Sequence, residues 1–122
     1  MTAQEIFNKV SAHLLTQGEK SMLIENNGRS ICAYRNEKGQ SCAIGCLISN
    51  DKYDKEMEKQ SVRNFIYMEH PVFMELLPSD LYIVESREFL CDLQNCHDLD
   101  DVSYWPERLR KIAINFNLKE PV

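Results

Sequence analysis

Five cysteines and a late histidine are the residues of this chain best suited to chemistry. The cysteines are Cys32, Cys42, Cys46, Cys91 and Cys96, and His97 follows the last of them directly. In Gln40-Ser41-Cys42, a thiolate placed at a helix N-terminus would have its pKa lowered by the helix dipole. His97 would then be the base, Asp98 or Asp100 its orienter, and the Gln40 amide a donor to an oxyanion. That set defines a cysteine-dependent hydrolase. The alternative assigns the thiols to the core as small apolar groups, and His97 to a helix terminus, where an imidazolium favours the dipole.

The same thiols could hold a metal. Cys42 and Cys46 are separated by three residues, Cys32 would lie across a hairpin from them, and Cys96-His97 could add a ligand. A structural zinc site needs four ligands in tetrahedral array, usually from two tight knuckles, and the spacings here are looser than that. Asp98, Asp100 and Asp101 open like a calcium loop. That loop type needs Gly at its sixth position and Glu at its twelfth, where this chain has Ser103 and Leu109. The four glycines are scattered and build no phosphate-cradling loop. No cofactor is expected.

Charge is the other chemical asset. The chain of 122 residues carries a net charge of −5. Direct nucleic-acid binding is disfavoured, because phosphate neutralisation needs the opposite sign. From Glu85 to Glu107 seven acids stand against the single base Arg87. Residues 108 to 122 then hold four bases, including Arg108, Arg110 and Lys111, against Glu120. Acids beside aromatic residues make a surface for a basic protein partner. The partner-binding residues expected are Glu85, Glu88, Asp92, Asp98, Asp100, Asp101 and Tyr104, while Trp105 is assigned to the core edge. The competing assignment for the acids is a solvated face.

Composition sets the frame for these groups. Hydrophobic content is 43% and charged content 27%, an ordinary globular balance. The length predicts a single domain over residues 1–122, large enough to hold a core without staples. An odd cysteine count, with no secretory leader before Thr2, favours free thiols in a reducing cytosol. No apolar run approaches the roughly 20 residues needed to span a bilayer, so no membrane association is expected.

The elements that must position the chemistry follow from periodicity. Thr2-Ala3-Gln4-Glu5 is a capping box ahead of Ile6, Phe7, Val10 and Leu14, with Gly18 as the stop. Met22-Leu23-Ile24 is a short apolar run closed by Asn26-Asn27-Gly28. The central stretch Ser30–Ile48 predicts a β-hairpin around Asn36-Glu37-Lys38-Gly39, its second arm running through Cys42 to Ile48 and buried on both faces. A helix starting near Cys42 competes, with Gly45 against it. Ser61 caps a short helix of Val62, Phe65 and Ile66, and Pro71 opens another carrying Phe73, Leu76 and Leu77. Residues 79 to 85 are ambiguous between helix and strand. Ser86 is expected to cap a helix ending near His97, and Pro106 to open the last helix, with Leu109, Ile112, Ala113 and Phe116 inward. The fold class is therefore α+β: a central hairpin or three-stranded sheet packed against about four or five helices.

The opening EIFNKVSAHLLTQG, the central CAYR…GQSCAIGCLI, the following DKYDKEME and the late LQNCHD with Trp105 resemble a group of small uncharacterised phage and bacterial proteins. The resemblance covers most of the chain apart from about residues 65 to 85. It implies no activity. It implies a context: a phage-encoded accessory protein acting in the bacterial host cytosol. The function expected is non-catalytic binding and inhibition of a host protein, such as a nucleic-acid-binding defence component, with counter-defence against a CRISPR complex or a nuclease as the sharpest form. The alternatives are the Cys42/His97 hydrolase and an oligomeric sponge for a nucleotide signal.

Overall fold

Helix α1, Ala3–Gln17, starts where the Thr2 hydroxyl accepts from Glu5 N–H and the Glu5 carboxylate accepts from Thr2 N–H. It ends at Gly18, in the left-handed conformation at φ 65°. Asp80 supports the start from far along the chain, its carboxylate accepting from Ala3 N–H. Helix α1 buries Ile6, Phe7, Val10 and Leu14. The computed structural model describes residues 1–120.

The hairpin lies one arm earlier than the sequence predicts. Strands β1, Met22–Ile24, and β2, Ser30–Cys32, pair antiparallel with Leu23 opposite Ile31. Gly28, at φ 83°, turns the chain between them. The turn at Asn36–Gly39 also forms, with Gly39 at φ 77° and the Asn36 side chain accepting from Lys38 and Gln40 N–H. It closes only an isolated bridge between Arg35 and Ser41.

The expected second arm is not a strand. Cys42–Ile48 coils into a buried turn with a 3-10 segment at Gly45–Leu47. Three of its amides are satisfied locally, Cys46 N–H by Cys42 C=O, Leu47 by Ile44 and Ile48 by Gly45, while Cys42 N–H reaches Tyr34 C=O and Ile44 N–H reaches the Gln94 side chain. A stretch apolar on every side must be buried, but periodicity does not distinguish a buried strand from a buried turn. Gly45 decides it. A Cβ there would stand 2.2 Å from the Tyr34 carbonyl oxygen, so its missing side chain admits the close packing.

The helices largely keep their predicted signals. Helix α2, Val62–Tyr67, is capped by Ser61 accepting from Asn64 N–H. It stops in a Schellman turn in which His70 N–H reaches Phe65 C=O and Glu69 N–H reaches Ile66 C=O. Glu69 takes the left-handed position there, at φ 58°. Helix α3, Pro71–Met74, has proline in its first turn. The ambiguous residues 79 to 85 divide into a loop and the first turn of α4, Ile83–Leu99. Ser86 is therefore not its N-cap. It sits buried inside the first turn, its hydroxyl donating towards Leu81 C=O at 3.2 Å. Helix α4 also runs two residues past His97. Helix α5, Trp105–Asn115, carries Pro106 in its first turn.

One continuous core joins α1, α4, α5 and the 42–48 turn. Tyr34, Phe65 and Phe73 belong to the same core, Phe65 and Phe73 stacking at 4.6 Å. The architecture is a small α+β fold with one two-stranded hairpin.

Candidate functional site

The last two turns of α4 carry Gln94, His97 and Asp98, and all three face inward onto the hairpin and the 42–48 turn. His97 is fully buried. Its Nε2 accepts from the backbone N–H of Ser21 at 2.9 Å. A backbone amide can only donate, so Nε2 holds the lone pair and Nδ1 the proton. The Nδ1–H then donates to Asp98 Oδ1 at 2.7 Å. The ring also stacks on Trp105, with centroids 5.8 Å apart.

Asp98 is the hub. Gln94 Nε2 donates to the same carboxylate oxygen at 2.9 Å, while Gln94 Oε1 accepts from Ile44 N–H at 3.1 Å. Lys20 Nζ donates to the Asp98 backbone carbonyl at 3.3 Å. The Cys32 sulfur lies within 4.8 Å of the His97 and Asp98 ligand atoms, the one such Cys/His/carboxylate group of three among the described residues. A cavity of about 50 Å³ sits beside this cluster, lined by Cys32, Tyr34, Cys42, Glu58, Gln94 and Asp98 among others.

The hydrolase set is only partly assembled. Asp98, not Asp100, orients His97, because Asp100 turns to Arg108 at 3.7 Å. Gln40 lies apart from the cluster, bonded to Asn36 and Glu19 at the surface turn. Cys42 is wholly buried, and its sulfur accepts from Gly45 N–H at 3.2 Å. Burial pushes its thiol up to about 12, with the Asp98 charge acting in the same direction and the Gly45 N–H against it. A nucleophile needs a base with a free lone pair, and the lone pair of His97 is taken by Ser21.

The metal set is rearranged. Cys46 opens onto a separate groove with His13 and Arg35, and its thiol donates to Ala43 C=O. Cys32, His97 and Asp98 come together instead. A cation on His97 Nδ1 would require either a proton on Nε2, facing the Ser21 N–H, or an imidazolate. The cluster as built is a hydrogen-bond lock joining α4 to the hairpin and to the 42–48 turn. The i, i+4 spacing of Gln94 and Asp98 was the available sequence signal for its α4 half.

The thiols are muted throughout. Burial pushes Cys32 and Cys46 up to about 11 and Cys96 to about 12, and raises Cys91. At pH 8 the half-buried Cys32 and Cys46 should alkylate roughly 100-fold more slowly than an ordinary thiol, with rates climbing as pH rises towards 11. Cys42 and Cys96 should be slower still. Timed iodoacetamide labelling with mass-spectrometric mapping measures this, and rapid selective modification of Cys42 would restore the hydrolase.

The acidic residues separate by direction. Glu85, Glu88 and Asp92 follow one another at spacings of three and four along the outer side of α4. Glu85 and Glu88 are exposed and Asp92 is half-buried. Asp98 points inward and Asp100 pairs with Arg108. Asp101 is exposed, and hydrogen bonds from Ser103 lower its carboxyl. Tyr104 is 61% exposed, and so is Leu99 at 75%, a residue that sequence reasoning passed over. The basic residues of α5 each have a carboxylate nearby: Asp100 for Arg108, Glu120 for Arg110 and Glu107 for Lys111. No helix among the described residues is long and apolar enough to cross a membrane. Compared with known protein families, curated proteins and solved structures, the chain matches none.

Proposed function

We propose that this chain is a non-catalytic binding protein that docks on a basic surface of a partner protein. The contact region is the outer side of α4 and the loop that follows it. Exposed Leu99 and Tyr104 supply the apolar anchors, and Glu88, Asp92 and Asp101 supply the charge. The observation that carries this reading is the outward display of those two large apolar side chains beside acids, while Cys42, His97 and Asp98 are bonded into the interior. Large apolar anchors set in a charged rim are the anatomy of a protein interface. Complementary charge mainly steers encounter and selects the partner.

The partner class drawn from the phage-like resemblance is a host bacterial protein with a nucleic-acid-binding surface, and inhibition of a defence nuclease or CRISPR complex is the specific form proposed. A phosphate-binding surface is basic, so an acidic protein competes for it directly. The test is affinity capture from bacterial lysate with the intact protein beside a Leu99→Ala/Asp101→Lys/Tyr104→Ala variant, checked for an unchanged melting temperature. The expected result is one basic, nucleic-acid-binding protein retained at low salt, released at high salt, and lost by at least about tenfold with the variant. Equal capture by both forms would remove the surface from the reading. Salt-insensitive capture would remove the charge argument.

A further inference from the structure

The turn between β1 and β2 contains Asn27-Gly28, and Asn27 is the one asparagine of the chain followed by glycine. Both residues are exposed. Gly28 stands at φ 83°, with nothing within 4 Å of the place a Cβ would take, so no other part of the fold covers it on that side. The Asn27 side-chain carbonyl accepts from Arg29 N–H at 2.9 Å. That bond holds the side-chain amide against the backbone that follows it and polarises the carbonyl carbon.

We propose that Asn27 is a self-modification site, at which the Gly28 backbone nitrogen attacks the Asn27 side-chain carbonyl. A bond forms from Gly28 N to Asn27 Cγ. The Cγ–Nδ2 bond breaks, and ammonia leaves with the proton that the Gly28 nitrogen sheds. Water then opens the succinimide at either carbonyl, giving aspartate or isoaspartate. The only co-reactant is water. Asparagine is a thermolabile residue, and attack from within the chain gains from groups already held close.

Asn36 is the internal contrast. Its side chain accepts from Lys38 N–H at 3.1 Å in the same manner, but Glu37 follows it, and the Glu37 Cβ crowds the attacking nitrogen. One bond opposes the reaction at Asn27. Gly28 N–H donates to Glu25 C=O at 2.9 Å, and it must be released before the nitrogen loses its proton. The hairpin has three residue pairs and this is its exposed end, so the opening is local. One such bond slows the reaction by about tenfold at most.

Each event adds a negative charge next to Arg29 in a chain already at −5. Isoaspartate also passes one more main-chain carbon through a turn closed by the Gly28–Glu25 and Glu25–Arg29 bonds, which loosens the end of the hairpin. The site uses none of the residues assigned to the partner surface and stands independently of that reading.

The full chain, folded and in urea, is incubated at mildly alkaline pH and its peptides are mapped with electron-transfer fragmentation, which separates aspartate from isoaspartate. The expected result is conversion of Asn27 ahead of Asn26, Asn36 and every other asparagine, to a mixture of both products. The folded-state rate should lie within about tenfold of the rate in urea, and it should climb with pH because the attacking nitrogen must lose its proton. Asn27→Gln, with its fold checked by circular dichroism, should leave the turn unmodified. A folded-state rate more than about tenfold below the rate in urea overturns the proposal. So does Asn36 reacting as fast as Asn27, or aspartate formed without isoaspartate, which is the mark of direct hydrolysis.

Discussion

Gly45→Ala should destabilise the protein by about 3 kcal/mol, a large part of the stability of a domain this size. The added Cβ would stand 2.2 Å from the Tyr34 oxygen and 3.0 Å from its carbonyl carbon, both backbone atoms. Neither partner can retreat. The Tyr34 carbonyl accepts from Cys42 N–H, its own N–H donates to Glu58, its hydroxyl donates to Gln60 C=O, and its ring packs against Phe65 and Phe73. Gly45 donates its N–H to the Cys42 sulfur within a buried turn. Relief of the clash must therefore open the 42–48 turn. The expected fall in melting temperature is on the order of 10 °C. Urea unfolding should show a lower midpoint at an unchanged slope. A change smaller than about 1 kcal/mol would show that the turn and Tyr34 do not meet so closely.

His97→Ala should cost a similar or larger amount, about 3–5 kcal/mol, for a different reason. It leaves a void against Trp105 and takes away the acceptor for a buried backbone N–H. Asp98 also loses the donor that holds it inward. His97→Gln should recover part of the loss, because a glutamine carbonyl can accept from Ser21 in place of Nε2. The ordering expected from thermal unfolding is wild type, then Gln, then Ala. Nitrogen-15 spectroscopy of the wild-type ring should find Nδ1 protonated and Nε2 bare. A proton on Nε2 would contradict the lock and free Nδ1 for metal or base chemistry. Equal stability of the three proteins would dismiss a structural role.

The hairpin lies one arm earlier than its local signals predict, while most helices start where theirs do. Helix boundaries are written in local chemistry. The Thr2–Glu5 capping box, Ser61 before α2, Pro71 and Pro106 in first turns and Gly18 as a stop each act within a few residues. Ser86 carried the same kind of signal and misled, because its hydroxyl is used by the preceding loop rather than by the helix start. The strands carry weaker local instructions. Cys42–Ile48 has the composition of a doubly buried strand, and its packing against Tyr34 and Gln94, with its own short-range bonds, belongs to a coil.

The candidate site divides along the same line. Gln94 and Asp98 share a helix face by spacing alone, and the adjacency of His97 was visible in the sequence. Ser21 lies 76 residues from His97, and Ile44 lies 50 from Gln94. No spacing rule links such positions, so the conversion of a Cys/His/Asp constellation from reactive set to structural lock was decided in three dimensions. The α+β class, most helix ends and the uneven charge are legible in the residues alone, because caps, turns and charge act over short range along the chain. The packed chain sets which acids face water, which lone pair His97 keeps and that burial holds all five thiols protonated, because burial and hydrogen-bond partners belong to the tertiary structure and not to any segment of it.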